Sequence, residues 1–405
     1  MKKRIKSLFL LMATIVATLM FSSIAFAATY QAPGQVTGLK QAKANDTSVE
    51  IAWDAQIDAY YSVEYSTDGA NWTVVDTESS PANYHNGLSQ GKSYYVRVRA
   101  YRSQYINLYP EDRVYGPYSD TLEVITRPDE VTSISQTDAT YDTASFTWNQ
   151  VEGVTQYEVY KTVNGIDTLV GTTNTNSITV TGLAREEFSI SVLGVKKSAS
   201  GFEAKSSYKE TLSSWDINLI PAKVGNVHIA NYWGSLKEVN VEWDGSLFAD
   251  GYQIQVYKNN AKKAMSNVKT SSKYVYIKNI NNKSFYKVRV RAYTTVNGQV
   301  KYGDWSSYTW FAQQTNVDLK FVSSKKLKVS WNKVQGATSY TVYMSTSKNT
   351  NYKKVKTLKK RSYTVTKFKK KKLSKKKRYY VYVVANKKVG KNTVKSAVSQ
   401  CYYLY

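Results

Sequence analysis

The residues with the clearest chemical potential are lysines gathered in one short segment near the C-terminus. Residues 367–378 contain nine basic side chains. At this density, ammonium groups attract anions that carry repeated charges, such as the phosphates or carboxylates of a polymer. Because lysine acts as a point charge and lacks the bidentate fork of arginine, the composition favours diffuse attraction over base-specific reading of nucleic acid. The nine residues are Lys367, Lys369, Lys370, Lys371, Lys372, Lys375, Lys376, Lys377 and Arg378.

The formal net charge of +26 is concentrated in the last part of this 405-residue chain. Residues 316–405 hold 25 basic residues and one acid, Asp318, whereas residues 28–315 have a net charge of −2. A solvated, highly soluble surface is the alternative explanation, but solubility does not require a near-absence of acids. So many like charges also repel one another in a compact domain. We therefore predict that this segment binds a polyanion.

Catalytic and metal-binding chemistry has little support. The two histidines, His85 and His228, have no neighbouring ligand pattern, and the single cysteine, Cys401, excludes an intramolecular disulfide or a Cys-rich zinc module. The sequence contains no paired carboxylates, nucleophile elbow or glycine-rich phosphate loop. We predict a non-enzymatic protein without a cofactor or a bound metal.

Tyrosines in one long segment form a second candidate site. Tyr105, Tyr109 and Tyr115 lie within residues 102–117, and exposed tyrosines in a long loop can stack on sugars or contact a partner. The alternative is a loop folded onto its own domain. Packing is the better explanation for a further aromatic group, which comprises Tyr232, Trp233, Trp305 and Trp310.

The N-terminus has the three-part pattern of a secretory signal peptide. Four positive charges in the first six residues precede an apolar run from Leu8 to about Phe21, and Ala25-Phe26-Ala27 is a small-x-small cleavage site. We predict cleavage after Ala27. A transmembrane anchor is the alternative, but the run is short for a span. No later segment has about 18 consecutive apolar residues, so we expect no transmembrane segment in the mature chain.

The remaining chain repeats one strand pattern four times. A tryptophan on an alternating strand recurs at Trp53, Trp148, Trp243 and Trp331. Eight or nine residues later a tyrosine opens a second alternating strand, at Tyr61, Tyr157, Tyr252 and Tyr340. Alternation with a period of two predicts strands that have one buried and one solvated face. No helical period of useful length follows the signal peptide.

A third alternating strand in each unit carries a tyrosine-corner signal. Tyr94, Tyr286 and Tyr379 each follow an apolar residue by six positions, a spacing that fits a hydroxyl bonded back to the upstream chain. The second unit departs from this pattern, because Phe188 has no hydroxyl.

These features together resemble tandem fibronectin type III domains. The resemblance implies an all-β chain of four immunoglobulin-like β-sandwiches after the signal peptide at 1–27. The implied domains are 31–127, 128–220, 221–315 and the strongly basic 316–405. The basic unit looks like modules at the C-termini of exported proteins of Gram-positive gut bacteria.

In such a sandwich, with strands A, B, C, C′, E, F and G, the A–B, C–C′ and E–F loops emerge at the same end. Residues 367–378 would form the E–F loop, so the three loops should make one cationic surface. The predicted polyanion-binding residues are Lys325, Lys326, Lys348, Lys353, Lys354, Lys367, Lys369, Lys370, Lys371, Lys372, Lys375, Lys376, Lys377 and Arg378.

The predicted function is that of a secreted or cell-surface binding or adhesion protein. The basic domain would tether it to an anionic cell-wall polymer or acidic glycan, while the other domains contact a host or community surface ligand. The expected location is the bacterial cell wall or surface, with no sequence-specific nucleic-acid partner. Two alternatives are a carbohydrate-binding accessory protein of polysaccharide degradation and a structural spacer.

Overall fold

The computed structural model describes residues 31–103, 112–183, 186–231, 237–398 and 402–403. The predicted cleavage site at Ala27 lies outside these residues. The backbone forms two compact units. Among the described residues, the first contains those up to Ile134 together with Trp148–Ile178 and Ser189–Leu212, and the second contains those of Ser135–Thr147, Thr179–Phe188 and Ser213–Tyr405.

The described chain is built almost entirely of antiparallel strands, which confirms the predicted all-β class. They fall into four repeats of similar order. Repeat 1 consists of β1 (Lys40–Ala44), β2 (Val49–Ala52), β3 (Tyr60–Ser66), β4 (Thr73–Glu78), β5 (Ala82–His85), β6 (Ser93–Arg102), β7 (Val114–Tyr118) and β8 (Leu122–Ile125). Repeat 2 consists of β9 (Ser135–Ala139), β10 (Ala144–Thr147), β11 (Gln156–Val163), β12 (Ile166–Thr173), β13 (Ser177–Val180), β14 (Ser189–Lys197), β15 (Glu203–Lys205) and β16 (Glu210–Leu212).

The later repeats follow the same plan, with one short hairpin added in the last. Repeat 3 consists of β17 (His228–Asn231), β18 (Glu238–Glu242), β19 (Gly251–Lys258), β20 (Ser266–Thr270), β21 (Tyr274–Lys278), β22 (Phe285–Val296), β23 (Gln299–Tyr302) and β24 (Thr309–Ala312). Repeat 4 consists of β25 (Val317–Ser323), β26 (Lys326–Trp331), β27 (Ser339–Ser345), β28 (Lys353–Leu358), β29 (Ser362–Val365), β30 (Lys367–Phe368), β31 (Lys371–Lys372), β32 (Tyr380–Val389), β33 (Asn392–Lys395) and β34 (Tyr402–Tyr403).

Each repeat contributes one three-stranded and one five-stranded sheet, in sandwich-like pairs. In repeat 1 the orders are β1-β2-β5 and β4-β3-β6-β7, with β8 also paired to β6. In repeat 4 they are β25-β26-β29 and β28-β27-β32-β33, with β34 also paired to β32. Strands A, B, C, C′, E and F of repeat 4 are therefore β25, β26, β27, β28, β29 and β32, and β33 and β34 make up G.

The four repeating tryptophans are buried at the ends of their strands, none more than 6% exposed. Each packs against the tyrosine that opens the next strand, with ring centroids 5.1 Å apart in the Trp53–Tyr61 pair and 5.6 Å apart in the Trp331–Tyr340 pair. The tyrosine hydroxyl accepts a backbone hydrogen bond from the intervening turn, as Tyr340 does from Val334 N–H at 2.9 Å. The pair thus fixes both the core and the turn.

The predicted tyrosine corners are confirmed in three repeats. The hydroxyls of Tyr94, Tyr286 and Tyr379 accept backbone N–H groups five residues upstream at 2.8, 3.1 and 3.2 Å. Phe188 is buried at the corresponding place in repeat 2 without a hydroxyl.

Buried lysines fix two of the connections between successive repeats. Lys387 on β32 is 6% exposed; its Nζ donates to Asn259 Oδ1 at 3.0 Å and lies 4.6 Å from the ring centroid of Trp310. Lys196 on β14, at the equivalent strand position, donates to the Gly91 carbonyl at 2.7 Å. Burial lowers the pKa of both ammonium groups.

Replacement of Tyr379 by Phe removes the corner hydroxyl and leaves the Ser374 N–H without its acceptor. We expect repeat 4 to lose about 1 kcal/mol of unfolding free energy, the usual net contribution of one hydrogen bond. Denaturant unfolding of Tyr379→Phe measures this loss. Tyr363→Phe, on the half-buried β29 tyrosine, is the matched control and should change little. Equal effects of the two substitutions would contradict the role of the corner.

Candidate polyanion-binding surface

The segment between β29 and β32 is an anchored hairpin rather than the simple loop that the sequence predicted. β30 and β31 pair through Lys367 with Lys372 and Phe368 with Lys371. Phe368 and Leu373 are 8% and 2% exposed and join the core of repeat 4. Two apolar anchors therefore hold the lysines between them at the surface.

The tip of this hairpin has an unusual backbone. Lys369 and Lys370 have φ values of 49° and 67°. Two successive left-handed residues are typical of a type I′ turn, in which Asn-Gly is the preferred sequence. Asn164-Gly165 and Asn297-Gly298 have the same pair of positive φ angles elsewhere in the chain. Lysine pays a steric cost there, because its Cβ crowds the backbone. The sequence thus places two charges where backbone preference alone would select other residues.

The strand directions place the three basic turns at one end of repeat 4. β29 is antiparallel to β26, so it ends where β26 begins, beside the turn that follows β25. In the other sheet Ser345 pairs with Tyr380, which sets the end of β27 beside the start of β32. The rings of Phe321 and Tyr379, 6.5 Å apart, link the two sheets at this end.

All fourteen predicted polyanion-binding residues are exposed. Their local placement differs in part from the prediction, since several lie on strands rather than in loops. Lys326 begins β26, Lys353 and Lys354 begin β28, and Lys367 belongs to the hairpin. We call the fourteen side chains together the basic end of repeat 4.

In the part of the chain that the structure describes, the lysines of the basic end have no carboxylate partner. Within residues 316–398 of the described structure, no lysine forms a salt bridge with a carboxylate, whereas repeats 1–3 contain such pairs, for example Lys205–Glu158 at 2.8 Å. Asp318 lies near the start of β25, at the opposite end of the repeat, within 3.4 Å of the Ser330 hydroxyl. The ammonium groups of the basic end therefore have no counter-charge among the described residues.

The opposite end of repeat 4 contacts repeat 3. The backbone of Gln335 donates to the Lys283 carbonyl at 2.7 Å and accepts from Phe285 N–H at 3.0 Å. The buried Lys387 lies at this same end. The basic end consequently lies on the side of repeat 4 that faces away from repeat 3, where a large polymer has access.

The tyrosine-rich segment of repeat 1 is only partly within the described structure. Tyr105 and Tyr109 lie outside the described residues. Tyr115 is on β7, half-buried, with its ring centroid 5.4 Å from that of Tyr101 and 3.9 Å from the Arg99 guanidinium. Tyr115 therefore packs on its own sheet.

The tryptophans Trp305 and Trp310 of repeat 3 are packed, as predicted, Trp305 against its own sheet and Trp310 against repeat 4. Trp305 lies 4.3 Å from Arg289 and 4.5 Å from Arg291, measured from guanidinium carbon to ring centroid. Trp310 lies against the buried Lys387. These alternating cations and rings stabilise an exposed sheet face. Tyr232 and Trp233 lie outside the described residues.

The two histidines contact neighbouring groups of their own repeats. His85 stacks on Tyr65 with ring centroids 4.3 Å apart, and burial lowers its pKa. His228 Nδ1 lies 2.8 Å from the Asn226 carbonyl. Among the described residues no cluster of three His, Cys, Asp or Glu could hold a metal ion, and no helix there is long and apolar enough to cross a membrane. Cys401 lies outside those residues.

The exposure of Trp215 was not predicted from the sequence. Trp215 is 85% exposed in a short 3₁₀ turn, Ser214–Asp216, between repeats 2 and 3. Trp215 lies outside the strands, so the alternation of buried and exposed residues does not predict its exposure. Its only signal in the sequence was that it is a tryptophan at a repeat boundary, outside the regular tryptophan spacing.

Two family models match parts of the chain. Residues 33–115 match the fibronectin type III domain, and residues 127–209 match the C-terminal domain of GH85 endohexosaminidases. No curated protein matches the chain. The first match shows a fibronectin type III domain in repeat 1, and the common strand order shows the same type of sandwich in the other repeats.

Among solved structures, the crystal structure of chicken CNTN1 FN1-FN3 domains is 16% identical and covers 69% of this chain and 98% of its own, with a TM-score of 0.26. A two-domain fibronectin type III segment from chicken tenascin is 17% identical and covers 44% and 98%, with a TM-score of 0.25.

The hairpin tip offers a direct test of backbone strain. Lys369→Asn combined with Lys370→Gly should raise the unfolding free energy of repeat 4 by about 1–2 kcal/mol, because these residues tolerate left-handed φ. Lys369→Gln with Lys370→Gln is the matched control, since it removes the same charges but keeps the strain. Denaturant unfolding compares the two variants. Equal stability would show that the charges, and not the backbone, determine the energy of the turn.

Proposed function

We propose that this chain is a non-enzymatic binding protein of a bacterial cell surface, which the basic end of repeat 4 tethers to an anionic polymer of the envelope. Fibronectin type III domains fit a binding or structural role. The observation that supports the tether is a set of thirteen exposed lysines at one end of one repeat, none of which forms a salt bridge with a carboxylate among the described residues.

A bound polyanion would relieve the repulsion among these charges. Two like charges about 7 Å apart in water repel by roughly 0.6 kcal/mol before screening by salt. Repeated over many neighbouring pairs, this energy opposes the compact state. A polymer of phosphates or carboxylates would remove the repulsion and release bound counter-ions, so its binding should also stabilise the fold.

The expected location narrows the class of polyanion. A signal peptide would carry the chain across the cytoplasmic membrane, where wall teichoic acids, anionic lipid headgroups and acidic glycans are the abundant polyanions. The predominance of lysine over arginine, 23 to 2 in residues 316–405, suits diffuse binding to such polymers. Repeats 1–3 would then be free to contact a host or community surface ligand.

A carbohydrate-binding accessory role is the second candidate. It is favoured by the match of residues 127–209 to the C-terminal domain of endohexosaminidases, enzymes named for their action on hexosamine-containing glycans. A structural spacer is the remaining alternative, and no specific contact favours it.

Retention on purified Gram-positive cell walls tests the tether. The intact protein should sediment with walls in 50 mM NaCl and be released by 200 mM NaCl, because an interaction with 6–10 phosphate contacts weakens by roughly 10³–10⁵-fold over this range. Replacement of the nine basic residues of 367–378 by Gln should abolish retention at 50 mM NaCl.

Walls stripped of teichoic acid and a variant in repeat 3 provide the controls. Stripped walls should retain less protein if the polymer is a phosphate chain, and long-chain polyphosphate should compete for the protein. Replacement of Lys258, Lys262, Lys263 and Lys273, exposed lysines of repeat 3, should leave retention largely intact. Equal retention of the unmodified protein and the nine-residue variant would refute the proposal.

A further inference from the structure

A cleft between the last turn of repeat 2 and the turn that follows Trp243 in repeat 3 has the composition of a ligand site. Its volume is about 370 Å³, within the range of small-molecule pockets. Its apolar lining comes from Trp215, Leu247 and Phe248, and its polar lining includes Glu187, Asn218 and Asp250. None of these residues belongs to the basic end of repeat 4.

Trp215 presents its ring to solvent on a fixed backbone. The Ser213 side chain caps the 3₁₀ turn and accepts from the Trp215 N–H at 3.4 Å. Ile217 and Leu219, which follow, are 2% and 0% exposed and anchor the segment. The indole is nevertheless 85% exposed. Leu247 beside it is 42% exposed, so the cleft offers an apolar surface that the fold leaves uncovered.

The backbone conformation of Phe248 is a second, independent feature that points to a ligand site. Its φ is 62°, a left-handed conformation that is rare for a bulky residue. Five residues after the tryptophan, repeats 2 and 4 have Gly153 and Gly336 at the same place, with φ values of 75° and 87°. Repeat 1 has Asp58 there, with φ 51°. Only repeat 3 places an aromatic ring in this strained position, and that ring lines the cleft.

The polar residues of the cleft are hydrogen-bonding groups that remain accessible. Glu187 and Asp250 are exposed and Asn218 is partly exposed. One carboxylate oxygen of Asp250 accepts the Thr295 N–H at 2.7 Å, which orients the group. Carboxylates and amides next to an exposed indole can accept and donate to sugar hydroxyls while the apolar face of the sugar ring packs on the indole. The two carboxylates would repel an acidic sugar.

We propose that this cleft binds a neutral oligosaccharide, with Trp215 as the stacking platform and Phe248 as a side wall. The proposal rests on the second candidate function and gives it a site, and it is independent of the tether. It assigns the glycan contact to the boundary of repeats 2 and 3 rather than to the tyrosines of repeat 1.

Titration calorimetry of the intact protein with chitohexaose, cellohexaose and mannohexaose tests the site. At least one of these neutral hexasaccharides should bind. Trp215→Ala should raise Kd about tenfold or more, which corresponds to the loss of one stacking contact, and Trp215→Phe should have a smaller effect. Tyr276→Ala, which removes an aromatic side chain that is 57% exposed outside the cleft, is the matched control and should leave Kd unchanged.

Phe248→Gly separates a binding role from a structural one. The substitution relieves a left-handed φ, so the melting temperature should rise while the affinity for the same hexasaccharide falls. Glu187→Gln combined with Asp250→Asn should improve the binding of hexagalacturonate, an acidic sugar that the unmodified cleft should reject.

Three results would overturn the proposal: no binding of any neutral hexasaccharide, equal affinity of Trp215→Ala and the unmodified protein, or equal losses in Trp215→Ala and Tyr276→Ala. Retention on cell walls should be the same for all these variants. A negative result for glycan binding would therefore not contradict the tether, and a negative result for wall retention would not contradict the glycan site.

Discussion

The structure depends on one packing arrangement that each repeat uses, a buried tryptophan against a tyrosine whose hydroxyl holds the next turn. In repeat 4, Trp331 and Tyr340 form this pair, and the corner hydroxyl of Tyr379 closes the other end. These contacts are apolar or internal to the chain, so they persist whatever charge the surface carries. A core of this kind lets one repeat tolerate an excess of positive charge that a less firmly packed domain would not.

The lysines at the two ends of repeat 4 differ in burial and in their contacts. Toward repeat 3, the ammonium group of Lys387 is buried, hydrogen-bonded to Asn259 and stacked on Trp310. At the other end, Phe368 and Leu373 anchor a hairpin whose lysines have no carboxylate partner in the described residues. The same residue type thus serves attachment between repeats at one end and an open cationic surface at the other.

Structural features that recur in every repeat could be predicted from the sequence, whereas features that occur only once could not. The tryptophan spacing and the Tyr94, Tyr286 and Tyr379 corners follow from periodicity, and the charge of repeat 4 follows from counting. The hairpin at Lys369 and Lys370 was not predictable, because its turn lacks the Asn-Gly signal. The exposure of Trp215 was not predictable either, because an irregular segment has no period to show which side chains face solvent.

Hydrogen exchange of the β32 peptides in the intact protein, at 10 and 300 mM NaCl without any polyanion, tests the central claim most directly. If repulsion among the lysines of the basic end opposes the fold, salt will screen it. Exchange in β32 should then slow markedly in the unmodified protein but little in the variant with nine Gln residues at 367–378. An equal response of the two proteins to salt would contradict the account.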